Sequence, residues 1–203
     1  MLYLLHYNIL KTKQVILSFC IFCVFISCTS EKLEVVSVEQ FADFIDATNY
    51  ITDAEKYGWS IVQKNILNFE IDSSAYWKYP DGTNPCRDGY PVTQVSFNDA
   101  LAYCDWAGVR LPTYDQYWAL TTDDRKMINE NFTEVLPIDD VNIIGNVWDF
   151  TTTENVQEDV RLAGGSYLCN KNMCNGTSYE RSLFVDKATG NVHIGFSVVT
   201  TVD

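Results

Sequence analysis

The sequence predicts an α+β domain with a high share of loop, set behind an N-terminal export segment. Three observations predict it. Three polar capping signals, at Ser37, Ser96 and Thr113, each open a helical run in the first two thirds of the chain. Beyond them the apolar residues fall in short runs separated by turn formers, the pattern of short strands. The third observation is composition. The 203 residues are 47% apolar, with only 10 Gly and 5 Pro, which suits one folded core and not a disordered or fibrous chain. With 27 acids against 14 bases the formal charge is −13, so no basic face is available for phosphates and a nucleic-acid partner is excluded. The histidines are His6 and His193. His6 lies in the N-terminal segment expected to be removed, so the mature protein cannot build a multi-histidine zinc site, and any Ser-His chemistry rests on His193 alone.

The N-terminal segment comes first. Residues 1–27 contain no acid, Lys11 and Lys13 precede Gln14, and Val15 to Ile26 run apolar apart from Ser18, Cys20 and Cys23. That run is short for a membrane-crossing helix, which needs ~20 residues, and reads as a secretory signal. Its end, Phe25-Ile26-Ser27-Cys28, resembles the lipobox of bacterial lipoproteins, in which the cysteine is lipidated and becomes the new N-terminus. Residues 1–28 are expected to be a lipoprotein signal peptide ending at lipidated Cys28. Residues 29–36 follow as a short tether, and 37–203 as the folded domain.

Ser37 with Gln40 forms a capping-box pattern, and Val38, Phe41, Ile45 and Thr48 share one helical face. Residues 49–60 mix aromatics with turn formers and read as an irregular packed loop. Residues 68–92, with Trp77, Pro80, Gly82, Pro85 and Pro91, read mostly as loop. Ser96 caps a second helix with Asp99 near its positive end; Phe97, Leu101, Cys104 and Gly108 form its stripe, and Gly108 stops it. Thr113 and Gln116 open a third, short helix through Tyr117, Trp118 and Leu120. Residues 122–140 read as a polar surface connection. Ile143 to Phe150, Val160 to Tyr167 and Gly195 to Val199 then read as strands and turns.

Cys169 and Cys174 are the chemically suggestive pair. Two thiolates that close in space suit a soft ion such as Cu(I), and no further Cys or His nearby completes a zinc site. The same spacing also suits a small-loop disulfide in an oxidising compartment. Gly164 and Gly165, just before the pair, permit close backbone approach. Asn142 to Asp149 holds oxygen donors that calcium accepts, although Asn and Asp are also common turn formers.

Four segments in order resemble the formylglycine-generating enzyme family, also called the sulfatase-modifying factor domain. They are YITDAEKYGWS (50–60), PVTQVSFNDALAYCDWAGVRLPT (91–113), NIIGNVWDF (142–150) and RLAGGSYLCNKNMC (161–174). The resemblance implies a fold poor in regular secondary structure and related in shape to C-type lectins. It implies an activity, the copper-dependent oxidation of a substrate cysteine to Cα-formylglycine. It implies Cys169, Cys174 and Ser166 as catalytic residues, with the two cysteines holding Cu(I), and Asn142, Gly145, Val147 and Asp149 as ligands of Ca2+. In the family the cysteine of the "AYC" block often pairs with one after "GFR"; here that stretch reads Gly195-Phe196-Ser197-Val198. Cys104 is then expected as a buried free thiol, with a Cys86–Cys104 bridge as the alternative.

The chain departs from the family pattern around the substrate groove. Tyr114 to Trp118 replaces an acidic "EAEWE" run, Asn175 to Tyr179 replaces a basic "YRYR" run, and only residues 121–141 fill a much longer central segment. Two functions follow as expectations. One is a formylglycine-generating-type oxidase acting on a cysteine of a protein or peptide substrate. The other is a non-catalytic binding or scaffold lipoprotein on the same fold, with a protein partner at the cell envelope. Either would be exported and held on a bacterial membrane through the lipid anchor.

Overall fold

In the computed structural model the described residues are 30–65, 67–121, 134–138, 144–152, 159–169, 178–181 and 183–202. Cys28, Asn142 and Cys174 lie outside them. The chain divides into two compact units, and the larger, Glu31–Thr200, holds the features below. The smaller, Met1–Ser30 with Thr201–Asp203, contributes only terminal residues of two strands to the description.

Four helices are present among the described residues: α1 (Val38–Thr48), α2 (Asp53–Tyr57), α3 (Phe97–Ala107) and α4 (Tyr114–Leu120). Each begins with a complete capping box, Ser37/Gln40, Thr52/Glu55, Ser96/Asp99 and Thr113/Gln116. The boxes matter because these helices are short, and each cap contributes about 1 kcal/mol by satisfying amides that the helix itself cannot. Asn49, Gly58 and Gly108 stop α1, α2 and α3 in the left-handed conformation.

The helices at Ser37, Ser96 and Thr113 match the sequence reading, and α2 corrects it. Residues 49–60, read as irregular loop, contain one helical turn, because Thr52 and Glu55 form a capping box that a five-residue helix hides from periodicity. Three further corrections concern strands. Residues 30–35, read as tether, form β1 (Ser30–Val35), which pairs with β8 (Ser197–Val202) and buries Leu33. Within 60–72, β2 (Ser60–Asn65) and β3 (Asn68–Asp72) make an antiparallel hairpin where loop was expected for the second strand. The first two later runs narrow to β4 (Trp148–Phe150) and β5 (Asp159–Ala163), the run 195–199 falls across β7 (Ile194–Gly195) and β8, and β6 (Leu183–Asp186) forms where no strand was expected. On α3 the buried side is Phe97, Ala100, Tyr103 and Cys104, while Leu101 is 42% exposed and so lies off the expected stripe.

The four-stranded sheet runs β6-β5-β4-β7, antiparallel except for the parallel pair β4–β7. The main core joins α1 and α3 to it. Phe41 is fully buried, with Phe44, Trp77, Tyr103 and Phe196 around it at centroid distances of 5.4, 5.5, 6.1 and 6.3 Å. A second cluster, with Leu33, Tyr114, Tyr117, Ile144, Ala163 and Val199, ties β1 and β8 to α4.

Two polar devices fix the loops. Asp99 of α3 accepts hydrogen bonds from Tyr50 OH (3.0 Å), Asp53 N–H (3.0 Å) and Ser96 N–H (2.8 Å). Asp53 in turn accepts from Ser96 OH (2.7 Å) and Asn98 (2.9 Å), so α2 is pinned to the start of α3. Gln94 is fully buried with a left-handed φ of 59°, and its amide donates to Ile61 O (2.8 Å) and Pro80 O (2.7 Å). Its own N–H donates to Asn191 O at 3.1 Å, which holds the loop leading to His193. No helix of the described residues is long and apolar enough to cross a membrane.

Candidate functional site

The site is built where β5 ends. After Ala163 the backbone turns through Gly164 (φ 91°) and Gly165 (φ 73°), conformations that favour glycine. Gly164 is further constrained by packing, since a Cβ there would meet Tyr117 Oη at 2.2 Å. The turn delivers Ser166, which is 1% exposed, and then Cys169, which is half-buried and packs on the main core. Cys169 N–H donates to Ser166 O at 2.8 Å, closing the turn between them.

Cys169 is disulfide-bonded. Cys86 and Cys104 are free, so the Cys86–Cys104 bridge is not formed and Cys104 is the buried thiol expected. Burial pushes the Cys104 thiol up to about 12, which leaves it an inert small hydrophobe. The partner of Cys169 lies outside the described residues, as does Cys174. A disulfided sulfur offers no thiolate, and two electrons are needed to cleave the bond to two thiolates, which two protons would turn into thiols. The reduced donor set, two soft sulfurs with four residues between them in sequence, is of the chemistry that suits Cu(I).

Ser166 Oγ lies 2.9 Å from His193 Nδ1 and accepts from Leu168 N–H at 3.3 Å. Burial pushes the His193 imidazole down to about 4, so the ring is neutral at neutral pH. Sequence reasoning singled out His193 only as the histidine remaining beyond the leader. The separation of 27 residues hid its pairing with Ser166.

Gly145 and Val147 sit on the segment entering β4, and Asp149 is the middle residue of the strand. Asp149 occupies the middle of the sheet, opposite Ala163 of β5 and Gly195 of β7. Its carboxylate accepts from Ser197 OH (2.6 Å) and Tyr117 OH (3.1 Å). Burial pushes this carboxyl up to about 7, with those two hydroxyls pulling the other way. Among the described residues no group of three or more His, Cys, Asp or Glu side chains gathers into a metal cluster. The named donors are instead one buried carboxylate, backbone carbonyl positions and the Asn142 amide, an all-oxygen set that fits a hard cation by chemistry. Ser197 and Tyr117 were not foreseen as partners of Asp149.

A cavity of about 720 Å3 lies next to the turn. Tyr167 and Val192, the neighbours of Ser166 and His193, form part of its wall, with Val62 and Gln63 of β2, Cys86 and Tyr90 elsewhere around it. The residues that replace the family's charged runs form an aromatic cluster. Tyr114, Trp118 and Tyr179 meet at 5.3–6.4 Å, and Arg161 lies 3.3 Å over the Tyr114 ring.

A mixed fold of short elements with a Ser-x-x-Cys turn behind paired glycines defines the class to which the comparisons point. Residues 31–122 match the model of the sulfatase-modifying factor enzyme 1-like domain. The chain is 30% identical to the formylglycine-generating enzyme of Thermomonospora curvata, with 69% of this chain and 71% of that protein covered. It is 28% identical to the formylglycine-generating enzyme of Mus musculus, covering 68% of this chain and 57% of the mouse protein. In fold it is similar to PvdO from Pseudomonas aeruginosa, with a TM-score of 0.58 at 13% identity, covering 83% of this chain and 78% of that one. The chain belongs to the sulfatase-modifying factor, or formylglycine-generating enzyme, family.

Proposed function

We propose that this protein is a copper-dependent oxidase that converts a cysteine of a protein or peptide substrate to Cα-formylglycine. The observation that carries the reading is the placement of Cys169, held by an ordered turn beside buried Ser166, in the turn whose Tyr167 lines a cavity. Membership of the family supports it. The substrate's Cβ loses hydrogen and its C–S bond breaks. One oxygen atom of O2 enters the aldehyde and the other leaves as water, and sulfur leaves as hydrogen sulfide. Two electrons and two protons come from a thiol reductant. Copper, when held by reduced Cys169 and Cys174, supplies one-electron chemistry with dioxygen. The chain supplies the rest. The paired glycines let the turn approach closely, Ser166 presents a hydroxyl in a water-poor setting, and the cavity takes the peptide segment that flanks the reacting cysteine.

Two further assignments belong to this reading. Asn142, Gly145, Val147 and Asp149 hold calcium, which offsets the buried Asp149 charge. Cys28 carries the lipid that places the domain on a bacterial membrane, where partners would be envelope proteins. The disulfide at Cys169 favours one alternative, a non-catalytic binding protein on the same fold, since such a protein tolerates a permanent disulfide.

The test is mass spectrometry of a cysteine-containing peptide incubated with the reduced, copper-loaded full chain, oxygen and a thiol reductant. Conversion loses the sulfur and yields an aldehyde that traps a hydrazide probe. Absence of any aldehyde across a panel of cysteine peptides, with copper bound, leaves the binding-protein alternative in its place.

A further inference from the structure

Ser166 grips the Cys169 turn twice. Its carbonyl accepts from Cys169 N–H at 2.8 Å, and its Oγ accepts from Leu168 N–H at 3.3 Å. A hydroxyl has one proton and two lone pairs to place. Leu168 takes one lone pair. The remaining described partner is His193 Nδ1 at 2.9 Å, approaching from a different loop. The backbone that carries the imidazole is itself held in place. Trp148 N–H donates to His193 O at 2.9 Å, Ile194 N–H donates to Asn191 O at 3.1 Å, and the residue is 8% exposed.

A neutral imidazole carries its proton on one nitrogen only. With the proton on Nδ1, the ring donates into the second lone pair of Ser166, and the hydroxyl proton is left to a third group. With Nδ1 bare, the ring takes the hydroxyl proton, and Ser166 is left as an acceptor. In both cases the imidazole sets the direction, because Leu168 N–H can only donate. Burial, which holds the ring neutral, is what makes the two arrangements alternatives.

We propose that His193 is a positioning residue for Ser166, its Nδ1 fixing whether the serine hydroxyl donates or accepts beside Cys169. The inference rests on the oxidase reading above. It adds a residue 27 positions from Ser166 that acts through the serine and not on the substrate.

The test compares His193→Asn, His193→Gln and Ser166→Ala in the full chain. An Asn amide falls near the place of Nδ1 and keeps a bond to Ser166, whereas a Gln amide reaches toward the place of Nε2. The expected result is peptide conversion near the wild-type rate for His193→Asn. For His193→Gln, kcat should fall about tenfold or more with KM nearly unchanged, the usual scale for a residue that orients another. In the Ser166→Ala background, His193→Gln should cost nothing further, because the group it orients is gone. Nitrogen NMR of the reduced, copper-free protein supplies a readout without turnover, and the His193 Nδ1 signal should shift in Ser166→Ala. Equal losses for His193→Gln with and without the serine, or an unmoved Nδ1 signal, overturn the role while the oxidase reading stands. A wild-type protein that converts no peptide overturns the oxidase reading, and this role falls with it.

Discussion

At the scale of single residues, Asp149 shows how position and environment divide the labour. The sequence placed it in a run of oxygen donors, and the fold adds two hydroxyls and complete burial. An uncompensated buried carboxylate is costly, which is why its carboxyl is pushed up to about 7 by burial. Calcium binding needs the ionised form, so the proton must leave before the cation arrives. Stripped protein is therefore expected to gain melting temperature with calcium, and to gain more at pH 8 than at pH 6. At a hundredfold excess over Kd the stabilisation is ~2.7 kcal/mol, or a rise of several degrees. Asp149→Asn should abolish the rise. A melting curve that calcium and chelator leave unchanged removes calcium from the account.

At the scale of elements, the helices were legible where a capping signal coincided with a long enough apolar stripe. Ser37, Ser96 and Thr113 met that condition. Thr52 did not, because a helix of five residues makes one turn and shows no period. β1 was missed for another reason. Its burial pattern is exposed over Ser30–Lys32, and the strand is stabilised by pairing with β8, far away in sequence. At the site, Ser166 and Cys169 were legible through the family resemblance, since they lie within one turn. His193, Tyr117 and Ser197 were not, since contacts over 27 to 48 residues depend on tertiary assembly. The glycine turn is where element and site meet. Gly164→Ala would add a Cβ 2.2 Å from Tyr117 Oη at a φ of 91°. The expected loss is about 2–4 kcal/mol in urea unfolding, from left-handed strain together with overpacking. In a Tyr117→Phe background the penalty should shrink, because the struck atom is absent. An equal penalty in both backgrounds would place the strain in the backbone alone.

At the scale of the whole molecule, the two larger hydrophobic clusters and the four capped helices of the described residues build the frame around a loop-borne cysteine turn. The frame accounts for the fold shared with the family. The differences include the runs at Tyr114–Trp118 and Asn175–Tyr179. Where the family carries acidic and basic runs, this chain has Tyr114, Trp118 and Tyr179 packed together, so the proposed peptide recognition is expected to go without the charge complementarity such runs would supply. The acid excess over the whole chain would likewise repel an acidic peptide. The chemistry proposed here stands or falls on whether Cys169 and Cys174 can act together as a reduced pair. The most direct measurement is a Cu(I) titration of the reduced full chain against a competing chelator. The account predicts one tightly held Cu(I) per chain, lost in Cys169→Ser and in Cys174→Ser and retained in Cys104→Ser, whose thiol is buried elsewhere in the core. Wild-type protein that binds no Cu(I) after reduction, or binding that survives both single substitutions, would contradict it.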